Sequence, residues 1–412
     1  MSGTFAKLWA ADTVNQAGTS LRTTSIPLVG VTVLGASAWQ MGILTASATA
    51  AFAIVGLPAG AWVDRFPRRR VMMLANLARL LLLATIVSAA ALELLTFVQL
   101  VAVSLLIGAM TVLYDVASPA IVQSVVPADD LTRANGRMQT TQAAARLGGP
   151  PLAGAAAQLI GAANTTGLAG LSYLASALLI RRLPEPRPAQ RTGTSLRSEV
   201  AAGLRFTFGH PAIRALVVCG AAYNFFLNLG FAVQVLFLVD QLRLPSAAVG
   251  ALLAASGLGQ VLGAASAGAW SRRFGDVRAI VVVLCVAQPF GLLLPLAGRG
   301  WAIALFATAT FSTGYGIAVY NVLSLTFRQH TCPPEMFGRM SASARMLSWG
   351  AIPLGALAGG GLGQLAGLRA TLWIAAVGGL LPALWLLLSP LRQMRSLTAA
   401  GSDQAAIGGP AG

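Results

Sequence analysis

Uncharged apolar runs recur along the chain, separated by short polar interruptions. The clearest cover 94–114, 279–298, 300–327, 346–368 and 370–392 up to its terminal Arg392. About 20 helical residues cross the apolar core of a bilayer, so each run predicts a membrane-spanning helix. Two longer uncharged stretches, 24–63 and 147–180, carry turn residues near 35–40 and 162–167, and each divides in two. The pattern predicts twelve spans: 8–34, 40–62, 71–91, 94–118, 138–160, 165–182, 212–239, 246–270, 278–298, 301–327, 340–363 and 368–390. The first apolar stretch is long and leads straight into further spans, which predicts no cleavable signal peptide.

Composition agrees with lipid as the solvent. Only 10% of the 412 residues are charged and 56% are apolar, against about 25% charged in soluble domains. The net charge of +16 does not point to nucleic acid, because the arginines lie in short clusters between apolar runs and form no continuous face. Such clusters read as topology signals and as contacts to anionic headgroups. One side collects Lys7, Arg65, Arg68–Arg70, Arg133, Arg137, Arg181, Arg182, Arg187, Arg191, Arg197, Arg205, Arg214, Arg272, Arg273, Arg278, Arg328, Arg339, Arg392 and Arg395; the other has only Arg243, Arg299 and Arg369. The bias alternates loop by loop, so both termini are expected in the cytosol of a multi-pass cytoplasmic-membrane protein.

Several chemistries lack their residues. Cys219, Cys285 and Cys332 are widely separated, and His210 and His330 sit in predicted loops without ligand spacing, so no metal site or disulfide framework is expected. Lys7 is the sole lysine; a phosphate-binding Gly-Lys-Ser/Thr loop and a Schiff-base lysine are therefore not expected. No cofactor and no enzymatic activity are expected.

The chain repeats itself. Residues 59–66, Ala-Gly-Ala-Trp-Val-Asp-Arg-Phe, recur as 267–274, Ala-Gly-Ala-Trp-Ser-Arg-Arg-Phe, and Gly136-Arg137-Met138 recurs as Gly338-Arg339-Met340. Each repeat falls on the matching span of the other half. The expected architecture is all-α: twelve transmembrane helices in two six-helix bundles with a parallel pseudo-twofold repeat. The expected divisions are a bundle at 1–182, a cytosolic linker with an amphipathic helix at 183–211, a second bundle at 212–392 and a disordered Gly/Ala-rich tail at 393–412.

Two motifs carry a resemblance. The loop after span two contains Gly60, Asp64, Arg65 and Arg68 in Gly-Ala-Trp-Val-Asp-Arg-Phe-Pro-Arg-Arg, which is similar to the Gly-x-x-x-Asp-Arg-x-Gly-Arg-Arg loop of the major facilitator superfamily. Proline stands at the second glycine, and Arg272 replaces the acid in the repeat copy. Span five contains Gly149, Pro150 and Gly154, which resembles the Gly-Pro-x-x-Gly pattern of that superfamily's antiporters. The stretches 114–120, 131–137 and 199–206 resemble the branch holding enterobactin exporters and macrolide-efflux-like proteins. The basic residue that drug–proton antiporters carry in span four is missing from 103–114.

The resemblance implies that spans one, four, seven and ten line a central cavity, and that Gly60, Asp64, Arg65 and Arg68 form a conformational latch. Polarity is compatible with such a cavity. Asp12, Asn15, Thr19 and Arg22 lie at steps of three, four and three, hence on one helical face. Thr111 and Asp115 lie on a similar stripe of span four; Asn224, Asn228 and Phe231 fall on span seven, and Ser312 and Tyr315 on span ten. A polar stripe on an apolar helix marks either a wet cavity or a structural seam. Asp115 and Arg146 are expected at similar depth on neighbouring spans, as a proton-coupling pair or a static one, with Asp12 as the alternative acid. The implied activity is secondary transport: proton-coupled export of a drug, siderophore or other amphipathic metabolite by a monomer in the bilayer. Uptake by symport or facilitated diffusion is one alternative, and a transporter-like binding or signalling protein is another.

Overall fold

The structure, a computed structural model, describes residues 3–63, 66–126, 130–183, 204–332 and 334–388. These residues are helical and turn, with no strand among them. In chain order the helices are α1 Gly3–Thr32, α2 Ala38–Val63, α3 Arg68–Ala91, α4 Phe97–Val125, α5 Leu131–Ile160, α6 Ala162–Arg181, α7 Pro211–Leu236, α8 Ser246–Phe274, α9 Asp276–Ala287, α10 Ile303–Thr331, α11 Pro334–Leu365, α12 Leu368–Gly378 and α13 Leu381–Leu388. Eight segments among the described residues are both long and apolar enough to cross a bilayer: those of α3, α4, α6, α7, α8, α9, α10 and the α12–α13 stretch. The helices α1, α2, α5 and α11 are 30, 26, 30 and 32 residues long, long enough at 1.5 Å per residue to span one. The Asp64 and Arg65 positions, most of the 183–211 linker and the 393–412 tail lie outside the described residues.

Local chemistry sets the boundaries. Gly161 alone joins α5 to α6 at φ 88°, and Gly275 joins α8 to α9 at φ 77°; a side chain would be strained in that left-handed region. At the start of α4, the Thr96 hydroxyl accepts from the Gln99 N–H at 3.2 Å, covering one of the orphan donors of a helix N-terminus. Pro289 and Pro295 fall in Gln288–Leu296, where α9 continues as a tighter 3-10 helix. Prolines inside α1, α4, α5 and α11 are Pro27, Pro119, Pro150 with Pro151, and Pro353, each removing a backbone hydrogen bond from its helix.

The chain packs as two compact units. The first takes in Met1–Thr192, Phe231–Ala254 and Ala356–Thr371. Phe5, Leu8, Met72, Tyr114, Ile121 and Ile180 build one of its cores. Small residues hold the far ends of α8 and α11 to it. A Cβ on Gly42 would lie 2.6 Å from Gly360 Cα, and one on Gly154 would lie 2.9 Å from Gly250 Cα. Approach this close needs glycine on both helices. The second unit takes in Gly193–Gly230, Ala255–Gly355 and Leu372–Gly412. Its core gathers Ile213, Leu216, Ile280, Leu284, Val319 and Phe327.

Candidate functional site

Charge buried in a membrane is costly and marks function more often than structure. In the first unit it concentrates in one place. Asp12, Asn15 and Arg22 on α1 are buried, at 4%, 2% and 7% exposure. Asp12 and Asp115 of α4 act on each other electrostatically, and so do Asp115 and Arg146 of α5. Asp115 and Arg146 are both exposed, in contrast to the enclosed Asp12.

At the centre lies Arg79, fully buried in α3. It is the one charged residue of 71–91, a signal present in the chain although the polar-stripe pattern of the other spans does not single it out. Its Nη1 donates to Asn15 Oδ1 at 3.0 Å and to Asn76 Oδ1 at 3.1 Å. Its guanidinium carbon lies 5.2 Å from the ring centre of Tyr114 and 5.0 Å from that of Tyr173. The network continues outward. Asn76 Nδ2 donates to Ser176 Oγ at 3.0 Å, and that hydroxyl donates to the Ala11 carbonyl at 2.8 Å. Asp115 and Arg22 lie within electrostatic reach of Arg79.

Magnitudes show how finely the arrangement balances. Desolvating an ion costs several kcal/mol. Two ring faces contribute about 2 kcal/mol each when desolvated, and two hydrogen bonds from a charged donor roughly 1.5–3 kcal/mol each. Support and penalty are of the same size, so Arg79 depends on Asn15, Asn76 and both tyrosines together. Its Nε and Nη2 are buried without a hydrogen-bond partner, and so is Arg22 Nε.

The remaining sequence-selected residues distribute as follows. Thr19 meets the Tyr173 hydroxyl at 3.2 Å, while Thr111 donates to Ile107 of its own helix at 2.7 Å. Gly149 lies against Ser20, where an added Cβ would stand 3.0 Å from the Ser20 hydroxyl oxygen, so the Gly-Pro motif packs α5 on α1 as well as on α8. Pro150 lies in the interior of α5, Gly60 in α2, and Arg68 opens α3. Phe231 of α7 is 39% exposed. In the second unit, Asn228 donates to the Asn224 carbonyl of its own helix at 2.8 Å. Ser312 donates to the Ala287 carbonyl at 3.0 Å. The Tyr315 hydroxyl accepts from Trp270 Nε1 at 2.7 Å and pairs with Ser266 Oγ at 2.6 Å. Those two span-ten groups are engaged with neighbouring helices.

Comparison with known proteins adds to this geometry. A sequence model described as Major Facilitator Superfamily matches residues 8–352 and 225–409. The chain is 28% identical over 360 residues to the "Enterobactin exporter EntS" of Shigella dysenteriae serotype 1 (strain Sd197), covering 83% of this chain and 82% of the relative. The same identity and coverage hold for the protein of that name in Escherichia coli O81 (strain ED1a). Among solved structures, a bacterial homologue of iron transporter ferroportin in the inward-facing state matches with TM-score 0.76 at 16% identity, over 94% of this chain and 99% of that one. Nucleoside transporter NupG matches with TM-score 0.69 at 13% identity, over 94% and 98%.

Proposed function

The chain belongs to the major facilitator superfamily, and from that premise we propose that it is a proton-coupled exporter of a drug, siderophore or other amphipathic metabolite, working by alternating access. Membership makes it a multi-pass membrane transporter of small solutes. The observation that carries the finer reading is the charged cluster in the first six helices, where Asp115 is linked electrostatically to Asp12, Arg79 and Arg146, and Arg79 in turn to Arg22. Ionisable groups held at membrane depth supply what coupling needs, a proton site whose charge balance changes when substrate arrives. Asp115 is the proposed proton carrier, because it is exposed and faces Arg146 electrostatically. Asp12 is the reserve acid. The exporters among its relatives and the Gly-Pro packing of α5 favour the outward direction.

In this reading twelve spans form two six-helix bundles, 1–182 and 212–392, joined by the 183–211 linker. Both termini face the cytosol, and Asp64 with its flanking arginines serves as the latch. Uptake would use the same cluster with the gradient applied in the other sense. A substrate screen in everted vesicles, with and without a proton gradient, separates the possibilities. Gradient-dependent accumulation inside supports export. Accumulation that ignores the gradient, or flux only in right-side-out vesicles, overturns it.

A further inference from the structure

We propose that Arg22, backed by Arg79 and Arg146, forms a subsite for the anionic group of an organic substrate: a carboxylate, sulfonate or phosphate carried on an amphipathic body. The proposal rests on the transport reading for its purpose, and on separate observations for its chemistry.

The first observation is the charge inventory. Among the described residues, the electrostatic links join three cations, Arg22, Arg79 and Arg146, to two carboxylates, Asp12 and Asp115. With all five ionised, the cluster holds one excess positive charge in a medium that penalises it. One bound anion brings the cluster to neutrality.

The second observation is unused donor capacity. Arg22 is 7% exposed, and its Nε has no hydrogen-bond partner. Arg79 is fully buried and has two nitrogens without partners. Its bound nitrogen goes to the amide oxygens of Asn15 and Asn76, which are neutral acceptors. Guanidinium N–H groups left empty in low dielectric are expensive, and their planar fork fits an oxyanion two atoms at a time.

The third observation is the division of access. Arg22 keeps a small opening, whereas Arg79 is sealed between Tyr114 and Tyr173. Arg22 is therefore the contacting residue and Arg79 a positioning residue whose charge acts from behind it. Exposed Arg146 provides the cation on the α5 side. The same excess disfavours a metal ion or cationic drug as cargo, because either would meet three guanidinium groups.

The test measures binding to the full chain in lipid nanodiscs by calorimetry, with no gradient present. The probes share one body and differ in charge: 2-naphthoate, its methyl ester and 2-naphthylmethylammonium. Naphthoate is expected to bind at least about tenfold more tightly than either other probe, and Arg22→Gln to remove that preference. Arg22→Lys should retain it in weakened form. Arg146→Gln, at an exposed position on the α5 side, should reduce it independently. Equal binding of the three probes, no binding by any of them, or an unchanged preference in both Gln variants would overturn the proposal. Displacement of naphthoate by chloride at equal concentration would overturn the assignment to substrate. Anion preference without gradient-driven flux would remove the transport reading and leave this subsite standing; flux of neutral compounds without anion preference would do the reverse.

Discussion

Replacing Gly154 with alanine tests how far function depends on the glycine contact between α5 and α8. A Cβ there would stand 2.9 Å from Gly250 Cα and 3.1 Å from Gly250 N, and would also press on the Ser246 carbonyl. Carbon atoms pack comfortably at roughly 3.5–4.0 Å, so the helices must part by several tenths of an ångström to about 1 Å. Overpacking of this kind costs about 1–3 kcal/mol. The contact next to it, Gln158 Oε1 accepting from the Ala247 N–H at 3.2 Å, would be weakened by the same separation. If transport requires this seam to open and close, the whole cost falls on the closed arrangement, and the open population rises roughly 5- to 150-fold. The assay is the labelling rate of Ala157→Cys, a buried reporter on α5, in a chain with Cys219, Cys285 and Cys332 replaced by serine. Gly154→Ala should accelerate labelling by about fivefold or more. Gly148→Ala is the control on the same helix, since a Cβ there meets nothing within 4 Å. Equal labelling rates in wild type and Gly154→Ala, or equal acceleration by Gly148→Ala, would refute the reasoning.

Other perturbations address the remaining parts. Asp115→Asn should abolish accumulation against a gradient while preserving substrate exchange; a variant that still concentrates substrate moves the proton site to Asp12. Asp64→Asn should impair transport with expression and substrate binding largely intact, and full transport at normal expression would remove the latch role. A Gln190→Cys reporter should resist an impermeant reagent in intact cells and react in everted vesicles. Labelling from outside would reverse the topology.

Much of the fold was legible because the bilayer imposes a length and an absence of charge, and both show in one dimension. Of the predicted spans, 40–62 became Ala38–Val63 and 246–270 became Ser246–Phe274. The last span divides, stopping at Gly378 and resuming at Leu381; the run carries no charge there, and the break shows only as Gly378-Gly379 followed by Pro382. The site was legible in part. The Asp12–Asn15–Thr19–Arg22 stripe gives a face by simple spacing; Asp12, Asn15 and Arg22 are buried, Asn15 accepts from Arg79, and Arg22 lies within its electrostatic reach. Spacing does not reveal what a face meets, however. Arg79 belongs to the cluster through partners on α1, α4 and α6, and those contacts exist only once four helices pack. Tyr315 reads as a cavity residue by the same stripe logic, yet its hydroxyl is held by Trp270 and Ser266 of α8. One polar stripe on an apolar helix looks the same whether it faces water or another helix's donors.

The central claim, that substrate leaves in exchange for a proton, is tested most directly by adding a transported compound to everted vesicles that already hold an inside-acid gradient. The account predicts that the compound dissipates the gradient as it accumulates in vesicles carrying the wild-type chain, and does neither in vesicles carrying Asp115→Asn. Accumulation that leaves the gradient untouched, or that persists after a protonophore has collapsed it, would contradict the account.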